Sequence, residues 1–346
     1  MQPIDRLCRT IRRQPCDRPP VVPQIFAHAA KAAGLTLDDY VASSATAARC
    51  QAAAWRAYGG DAVFAVLDLT VEPHALGGEV TATPGIYPAV SRPPLAADAD
   101  FTRLPVPDPR EAGRMPQVLE MVSMLRTSVG QGAAVIGLVQ GPMTLAVQFL
   151  GMEAALFLAA DQPERFLSLL DFATRLAQAF GEAQLAAGAD VVMIFDPAAC
   201  PEVVPAGLFR EMLGPRVSQL CEAFRRAGAL ANWLHVAGRS APIIPYYSRV
   251  GVDIGNVDYC IDLDALLAGL GDDRLCLDGT VKPLSFVVDR PDDITVAANS
   301  LLARFHGRGG FILSSGCEIP PEALPANVAA LVAAAQGWRG ERGHAS

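Results

Sequence analysis

The chain is poor in charge and in aromatic rings: 18% of its 346 residues are Asp, Glu, Lys or Arg, and 7% are Phe, Trp or Tyr. Basic residues are outnumbered 28 to 36, for a formal charge of −8. That balance argues against nucleic acid and anionic membrane as partners, because both select for basic patches. Long hydrophobic runs are missing too. The uncharged stretch from Thr127 to Met152 is interrupted by Gln131, Gln140, Pro142, Gln148 and several glycines. Its apolar pieces fall far short of the ~20 residues a spanning helix needs, and it reads as buried strand, turn, buried helix. The start, MQPIDRLCRTIRRQ, has arginines but no apolar segment after them, so no secretory signal is expected, and Asp5 argues against a transit peptide. The cysteines at 8, 16, 50, 200, 221, 260, 276 and 317 form no CxxC pair, so neither a disulfide framework nor a zinc finger is expected. A reducing cytoplasm is the expected setting.

What the chain has is apolar mass, at 51% hydrophobic residues, enough to offset the ordering entropy that leaves polar chains disordered. Short runs rich in Val and Ile alternate with Ala/Leu/Arg stretches of helical spacing, the signature of repeated βα units. Eight strands are predicted: Val21 to Phe26, Ala62 to Asp68, Ala133 to Gly141, Asp190 to Pro197, Leu230 to Val236, Val252 to Asp258, Leu275 to Val281, and Gly310 to Gly316. Continuous apolar runs suit strands of a parallel sheet covered on both faces. Helices are predicted over Ala45 to Tyr58, Arg114 to Gly130, Pro163 to Ala187, Pro205 to Ala227, Ala241 to Val250, Leu263 to Leu270, Pro291 to His306, and Pro321 to Ala335. Four of these open on proline, which a first helical turn tolerates because its N–H has no partner to lose.

At roughly 150 residues per domain the length allows two domains, yet eight βα units favour a single-domain (β/α)8 barrel over residues 1–336. Residues 72–109 are crowded with Pro and Gly and hold short strand-like pieces, Val80 to Thr83 and Ile86 to Val90, which predicts a hairpin insertion that lids one end. The tail 337–346 is small and polar and is expected to fray.

Ligands of such barrels sit at the carboxyl ends of the strands. Those ends carry Asp68, Gln140, Asp196, His235, Asn256 and Asp258, then Asp278, Thr280, Ser315 and Cys317. Any one of them is explained as solvent-facing punctuation, whereas an imidazole, a thiol and several acids on one rim point to a site. His235 follows an apolar strand in LANWLHVAGRS. Cys317, in GGFILSSGCEIPP, stands between a glycine and an expected helix start, an arrangement that lowers a thiol pKa and frees N–H donors for an anion. His28, His74 and His306 fall in loops or helices and are read as structural. No Walker loop, dinucleotide fingerprint or Gly-x-Ser-x-Gly elbow occurs.

The tail GGFILSSGCEIPPEALPANVAALVAAA, with LHVAG and ADVVMIFDPAACPEVVPAGLFREMLGPRV upstream and GGDAVFAVLDLTVEPHALGGEV near the start, resembles the uroporphyrinogen decarboxylase superfamily. The likeness is stronger to its corrinoid-dependent methyltransferase branch than to the decarboxylases. It implies a (β/α)8 barrel that takes a methyl group from a methylcobamide carried by a partner corrinoid protein. Thiol methyltransferases of that branch hold zinc through a His-x-Cys pair and a second Cys in a GC-x-IPP segment. Carried across, these positions are His235, Ala237 and Cys317, so the middle ligand is missing. A catalytic zinc takes three protein ligands, and two leave the site incomplete unless Glu318 or a rim Asp joins. Loss of the metal favours an acceptor that needs none, the N5 amine of tetrahydrofolate. On that reading Asp196 and Asp258 orient the pterin, His235 manages the proton, and Asn256, Asp68, Gln140, Asp278, Thr280 and Ser315 line the pocket.

The decarboxylases the chain resembles bind a polycarboxylate porphyrinogen through an Arg-Gln-Ala-Gly-Arg run near the N-terminus. Here the region reads PVVPQIFAHAAKAAG, with no arginine between Arg18 and Arg49, which argues against that substrate. The sequence therefore leads to a corrinoid-dependent methyltransferase acting on a small acceptor. Two alternatives stay open: a zinc-dependent thiol methyltransferase, and a non-catalytic barrel that carries a corrinoid or tetrapyrrole. A homodimer is also left open.

Overall fold

The computed structural model describes residues 1–271 and 273–339. In chain order its strands are β1 (Ala62–Ala65), β2 (Glu79–Thr83), β3 (Ile86–Arg92), β4 (Ala134–Gln140), β5 (Val191–Phe195), β6 (Asn232–His235), β7 (Ile254–Val257), β8 (Cys276–Val281) and β9 (Phe311–Ser315). Seven of them form one parallel sheet in the order β1-β4-β5-β6-β7-β8-β9. Every residue of those seven is buried. Alternation along each strand sends one set of side chains inward and the other outward. Phe64, Ile136, Met193, Trp233, Ile254, Cys276 and Ile312 pack together inside the curled sheet. Val63, Val135, Ile194, Leu234, Val257, Leu277 and Leu313 pack outward against the helices. Each such side chain stabilises the fold by about 1.5–3 kcal/mol on full burial.

The expected first strand, Val21 to Phe26, is instead a single parallel bridge between Val21 and Leu313. Pro19, Pro20 and Pro23 bring no N–H to a ladder, which keeps the segment from extending as a strand. The bridge nonetheless joins the two edges of the sheet. Val22 N donates to Leu313 O at 2.9 Å, Leu313 N to Pro20 O at 2.9 Å, and Asp61 N to Val21 O at 2.8 Å. Buried Asp61 fixes this segment from below, accepting from Val21 N at 2.8 Å and pairing with Arg6 and Arg18 at 2.5 and 2.8 Å.

Helices run over Ser44–Tyr58, Met115–Val129, Pro163–Ala186, Leu263–Leu270 and Pro291–Arg304, close to the expected bounds. Three others differ. The helix expected from Pro205 is broken into a short turn, a π-helical stretch over Phe209–Leu213 and a helix over Gly214–Arg226. A 3-10 helix over Ile244–Val250 replaces the one expected from Ala241, because Pro242 and Pro245 both lack the N–H a longer ladder needs. The last helix begins at Pro325, not Pro321, and runs to Gly337. The expected tail overlaps it at 337, and residues 340–346 of that tail lie outside the described residues. No single helix is long and apolar enough to cross a membrane; Pro142–Leu150 and Met152–Asp161 are bent by 112° at Gly151. The 72–109 stretch contains the antiparallel β2/β3 hairpin. Tyr87 of the hairpin donates its hydroxyl to Glu318 Oε1 at 2.5 Å and accepts from Ala27 N at 2.9 Å.

Candidate functional site

Parallel register sets the carboxyl ends of the strands side by side: Phe195 opposite His235, Asn256 opposite Asp278, Thr280 opposite Ser314. His235 shares its strand face with Trp233, two residues earlier, and so points inward. Its ring stacks on Phe195 with centroids 4.7 Å apart. It is fully buried, and among the described residues neither ring nitrogen has a hydrogen-bond partner. Burial pushes its pKa down to about 3, so the imidazole is neutral and keeps a lone pair available.

Asp278 is the hub of the neighbouring strands. Trp233 Nε1 donates to one carboxylate oxygen at 2.8 Å, while Gln24 Nε2 and Asn256 Nδ2 donate to the other at 3.2 and 3.4 Å. Burial outweighs these three donors and raises Asp278 to about 7. Asn256 Nδ2 also donates to Gly316 O at 3.1 Å, and Ser315 Oγ accepts from Gln24 N at 3.3 Å. Gln24 and Asn256 each keep a buried carbonyl oxygen without a donor among the described residues. Unpaired buried acceptors beside an unpaired imidazole mark a place where a polar molecule satisfies them.

The other rim residues are engaged elsewhere. Asp196 accepts from Thr144 N and Thr144 Oγ1, both at 2.7 Å, and from Met143 N at 3.3 Å. It thus serves the amino end of the Pro142–Leu150 helix, and burial raises it to about 6. Gly141 is required there, since a Cβ would lie 2.3 Å from Asp196 Cβ. Asp258 accepts from Gly238 N and Tyr259 N, both at 2.6 Å, tying the loop after β7 to the loop after His235; burial raises its pKa. Asp68 is held by Arg114 through two bonds of 2.6 and 2.9 Å. Gln140 pairs with buried Glu72 through its backbone at 2.9 Å and its side chain at 3.1 Å, and burial raises the Glu72 pKa. Thr280, one residue before the end of β8, makes no side-chain bond to a described residue. Two groups therefore form, one on β6 to β9 around Asp278 and His235 and one on β1 and β4 around Asp68 and Gln140, while Asp196 and Asp258 serve backbone.

Cys317 is partly exposed, and burial pushes its thiol up to about 12 with Asp258 and Asp278 adding to the rise. The expectation of a lowered pKa fails because the following helix starts eight residues later, at Pro325, too late for its amino end to act on the sulfur. The residues fit a zinc ion poorly. Ala237 offers no ligand, and among the described residues no group of three or more His, Cys, Asp and Glu side chains is arranged to hold a metal. Gln24, Trp233 and Glu72 were not singled out in the sequence. Trp233 had a legible signal in its position two before His235 on one strand, and Gln24 in being the polar break of an apolar run.

The profile of the uroporphyrinogen decarboxylase (URO-D) family matches residues 2–338. Among curated proteins the chain is similar to the methylcobamide:CoM methyltransferase MtaA of Methanosarcina barkeri, 30% identical over 269 residues that cover 77% of this chain and 76% of the relative. It is also similar to the uroporphyrinogen decarboxylase of Coxiella burnetii, 27% identical over 364 residues and covering 96% and 95% of the two chains. Among solved structures, a methyltransferase from Methanosarcina mazei superposes with a TM-score of 0.88 at 26% identity, over 97% of this chain and 99% of that one.

Proposed function

Because the chain belongs to the uroporphyrinogen decarboxylase family, we propose that it is a methyltransferase that moves a methyl group from a methylated corrinoid, held by a partner protein, to a small acceptor at the carboxyl ends of the strands. The observation that carries this reading over decarboxylation is the charge of the rim. Arg114 is taken up by Asp68, Arg239 in the loop after β6 is paired with Glu202, and Lys282 after β8 lies over the Tyr259 ring. A polycarboxylate would meet Asp278, Asn256, Gln24 and Glu72, with no cluster of unpaired arginines among the described rim residues to hold it.

The relatives' names favour a thiol acceptor, coenzyme M in MtaA, and the thiol is the acceptor assigned here. Tetrahydrofolate is the second reading; Ala237 supports it, since an amine nucleophile needs no metal. In either case the acceptor lone pair forms the new bond to the methyl carbon, the carbon–cobalt bond breaks, and its electron pair stays on cobalt. The acceptor proton goes to Asp278, whose pKa of about 7 suits proton transfer near neutrality. His235, at about 3, is too weak a base for the proton role expected of it and instead orients the acceptor through its free nitrogens. Holding acceptor and methyl carbon in line supplies most of the acceleration. The β2/β3 hairpin, pinned by Tyr87 to Glu318 beside Cys317, acts as the lid over this end.

The test is spectroscopic. The chain is mixed with methylcobalamin, or with a methylated corrinoid protein, and with either coenzyme M or tetrahydrofolate, and the cobalamin spectrum is followed. Turnover with the thiol supports the main reading, turnover with tetrahydrofolate alone supports the second, and binding without demethylation supports a carrier. Asp196 and Asp258 are tested by the double alanine variant; transfer unchanged per folded molecule removes both from acceptor handling.

A further inference from the structure

A second cavity opens at the other end of the strands. A cleft of about 520 Å³ opens between the end of the Pro3–Ile11 helix, the loop that enters β9, and Trp338. Its volume lies within the range of small-molecule sites. Four arginines line it, Arg13, Arg18, Arg308 and Arg339, against one acid, Asp17; Asp17 is already paired with Arg6 and Arg18 with Asp61, each at 2.8 Å, which leaves Arg13, Arg308 and Arg339. On a chain of formal charge −8 this is a local reversal of sign.

Two of these arginines are held in place with donors left over. Arg13 is the single non-glycine residue with positive φ, 53°, among those described. Its Nη2 donates to Asp273 O at 2.7 Å, which fixes the guanidinium, while its Nε is buried without an acceptor among the described residues. Arg308 Nη2 is likewise buried without one. Gly310 keeps the cleft open beside them: at φ +66° it would place a Cβ 3.1 Å from Arg13 Nε. Burial and the charges of Arg308 and Arg274 lower the Arg13 pKa and outweigh the opposing charge of Asp273, the direction expected of cations crowded together. A buried N–H without an acceptor is costly, and two of them on neighbouring guanidinium groups are matched by the tetrahedral oxygens of a phosphate group. The remaining wall is aromatic and apolar, with Phe305 stacked on Phe311 at 3.9 Å and Trp338 edge-on to His306 at 6.5 Å.

We infer that this cleft, on the face opposite the proposed methyl-transfer site, binds a small phosphate-bearing anion between Arg13 and Arg308. The source is either a free polyphosphate or the phosphate of an organic ester whose body lies against Phe305, Phe311 and Trp338. Inorganic pyrophosphate is the probe for the first and a nucleoside monophosphate for the second.

Each probe is titrated calorimetrically into the full-length chain at low ionic strength, with citrate as a carboxylate control. Saturable binding of one or both phosphate probes is expected, at least tenfold tighter than citrate. It should weaken at least tenfold in Arg308→Gln and in Arg13→Gln. Arg308 makes no side-chain hydrogen bond to a described residue, so its variant is expected to fold normally even where Arg13→Gln, which loses the Asp273 contact, does not. Tighter binding of the ester assigns the aromatic wall to its organic body, and preference for pyrophosphate assigns the cleft to polyphosphate. Absence of saturable binding, or affinity unchanged in Arg308→Gln, would each overturn the inference.

Discussion

At the scale of single residues, the fully buried imidazole and the three-donor carboxylate behave as opposites. The same desolvation that strips the proton from His235 keeps one on Asp278 up to about pH 7. If Asp278 accepts the acceptor's proton, the transfer rate should rise with pH through about 7 and level off above it. Asp278→Asn should lower the plateau at least a hundredfold and remove that inflection, which a purely structural role would leave in place; stopped-flow demethylation across pH 5.5–8.5 reads both. Ala237→Cys restores the thiol that the family resemblance expects between His235 and Cys317. About one zinc per chain is expected in that variant by elemental analysis and far less in the wild type. A variant that stays free of metal would show that the two flanking residues do not converge. Gly141→Ala drives a methyl into Asp196, and a loss of about 1–3 kcal/mol is expected in urea denaturation.

At the scale of elements, the β2/β3 hairpin contacts the rim through one side chain that bridges two segments remote in sequence, Tyr87 to Glu318 and to Ala27. Tyr87→Phe should leave the melting temperature within a few degrees of wild type while hydrogen exchange over 79–92 accelerates; equal protection in both proteins would show that the hairpin is held by its other contacts. Which elements were legible follows from how local their causes are. β4 and β5 announce themselves as AVIGLVQ and VVMIF, runs that remain apolar because both faces are covered. Val21 to Phe26 carries the same apolar signal, but the prolines around it remove ladder donors, and whether such a run becomes strand or bridge is decided by what lies opposite. The rim residues were legible as a set, since a polar side chain stands at, or within three residues of, the carboxyl end of each strand of the parallel sheet. Their division of labour was not: that Asp196 serves a helix 52 residues earlier while Asp278 stays inside is fixed by Thr144 and Trp233, which only the fold brings near.

At the scale of the whole molecule, several buried acids carry raised pKa values: Asp278 and Glu318 at about 7, Asp196 at about 6. An acid whose folded pKa lies above its unfolded value holds its proton more tightly in the native state. Its contribution to stability is complete below the unfolded value near 4 and fades as pH rises toward the folded value. His235 and His28, lowered to about 3 and about 4, act the other way below about pH 6.5, but the three acids outweigh the two imidazoles. The protein should therefore melt at a higher temperature at pH 5 than at pH 7.5, and Asp278→Asn should narrow the difference; scanning calorimetry at the two pH values decides it. The bridge at Val21 joins the early chain to β9, with Ser314 donating to Val22 O across 292 positions of chain. The ribosome must release β9 before that contact can form, so a chain still short of it exposes the sheet edges it will later seal. Loss of either partner, the segment at Val21 or β9, leaves the same open seam.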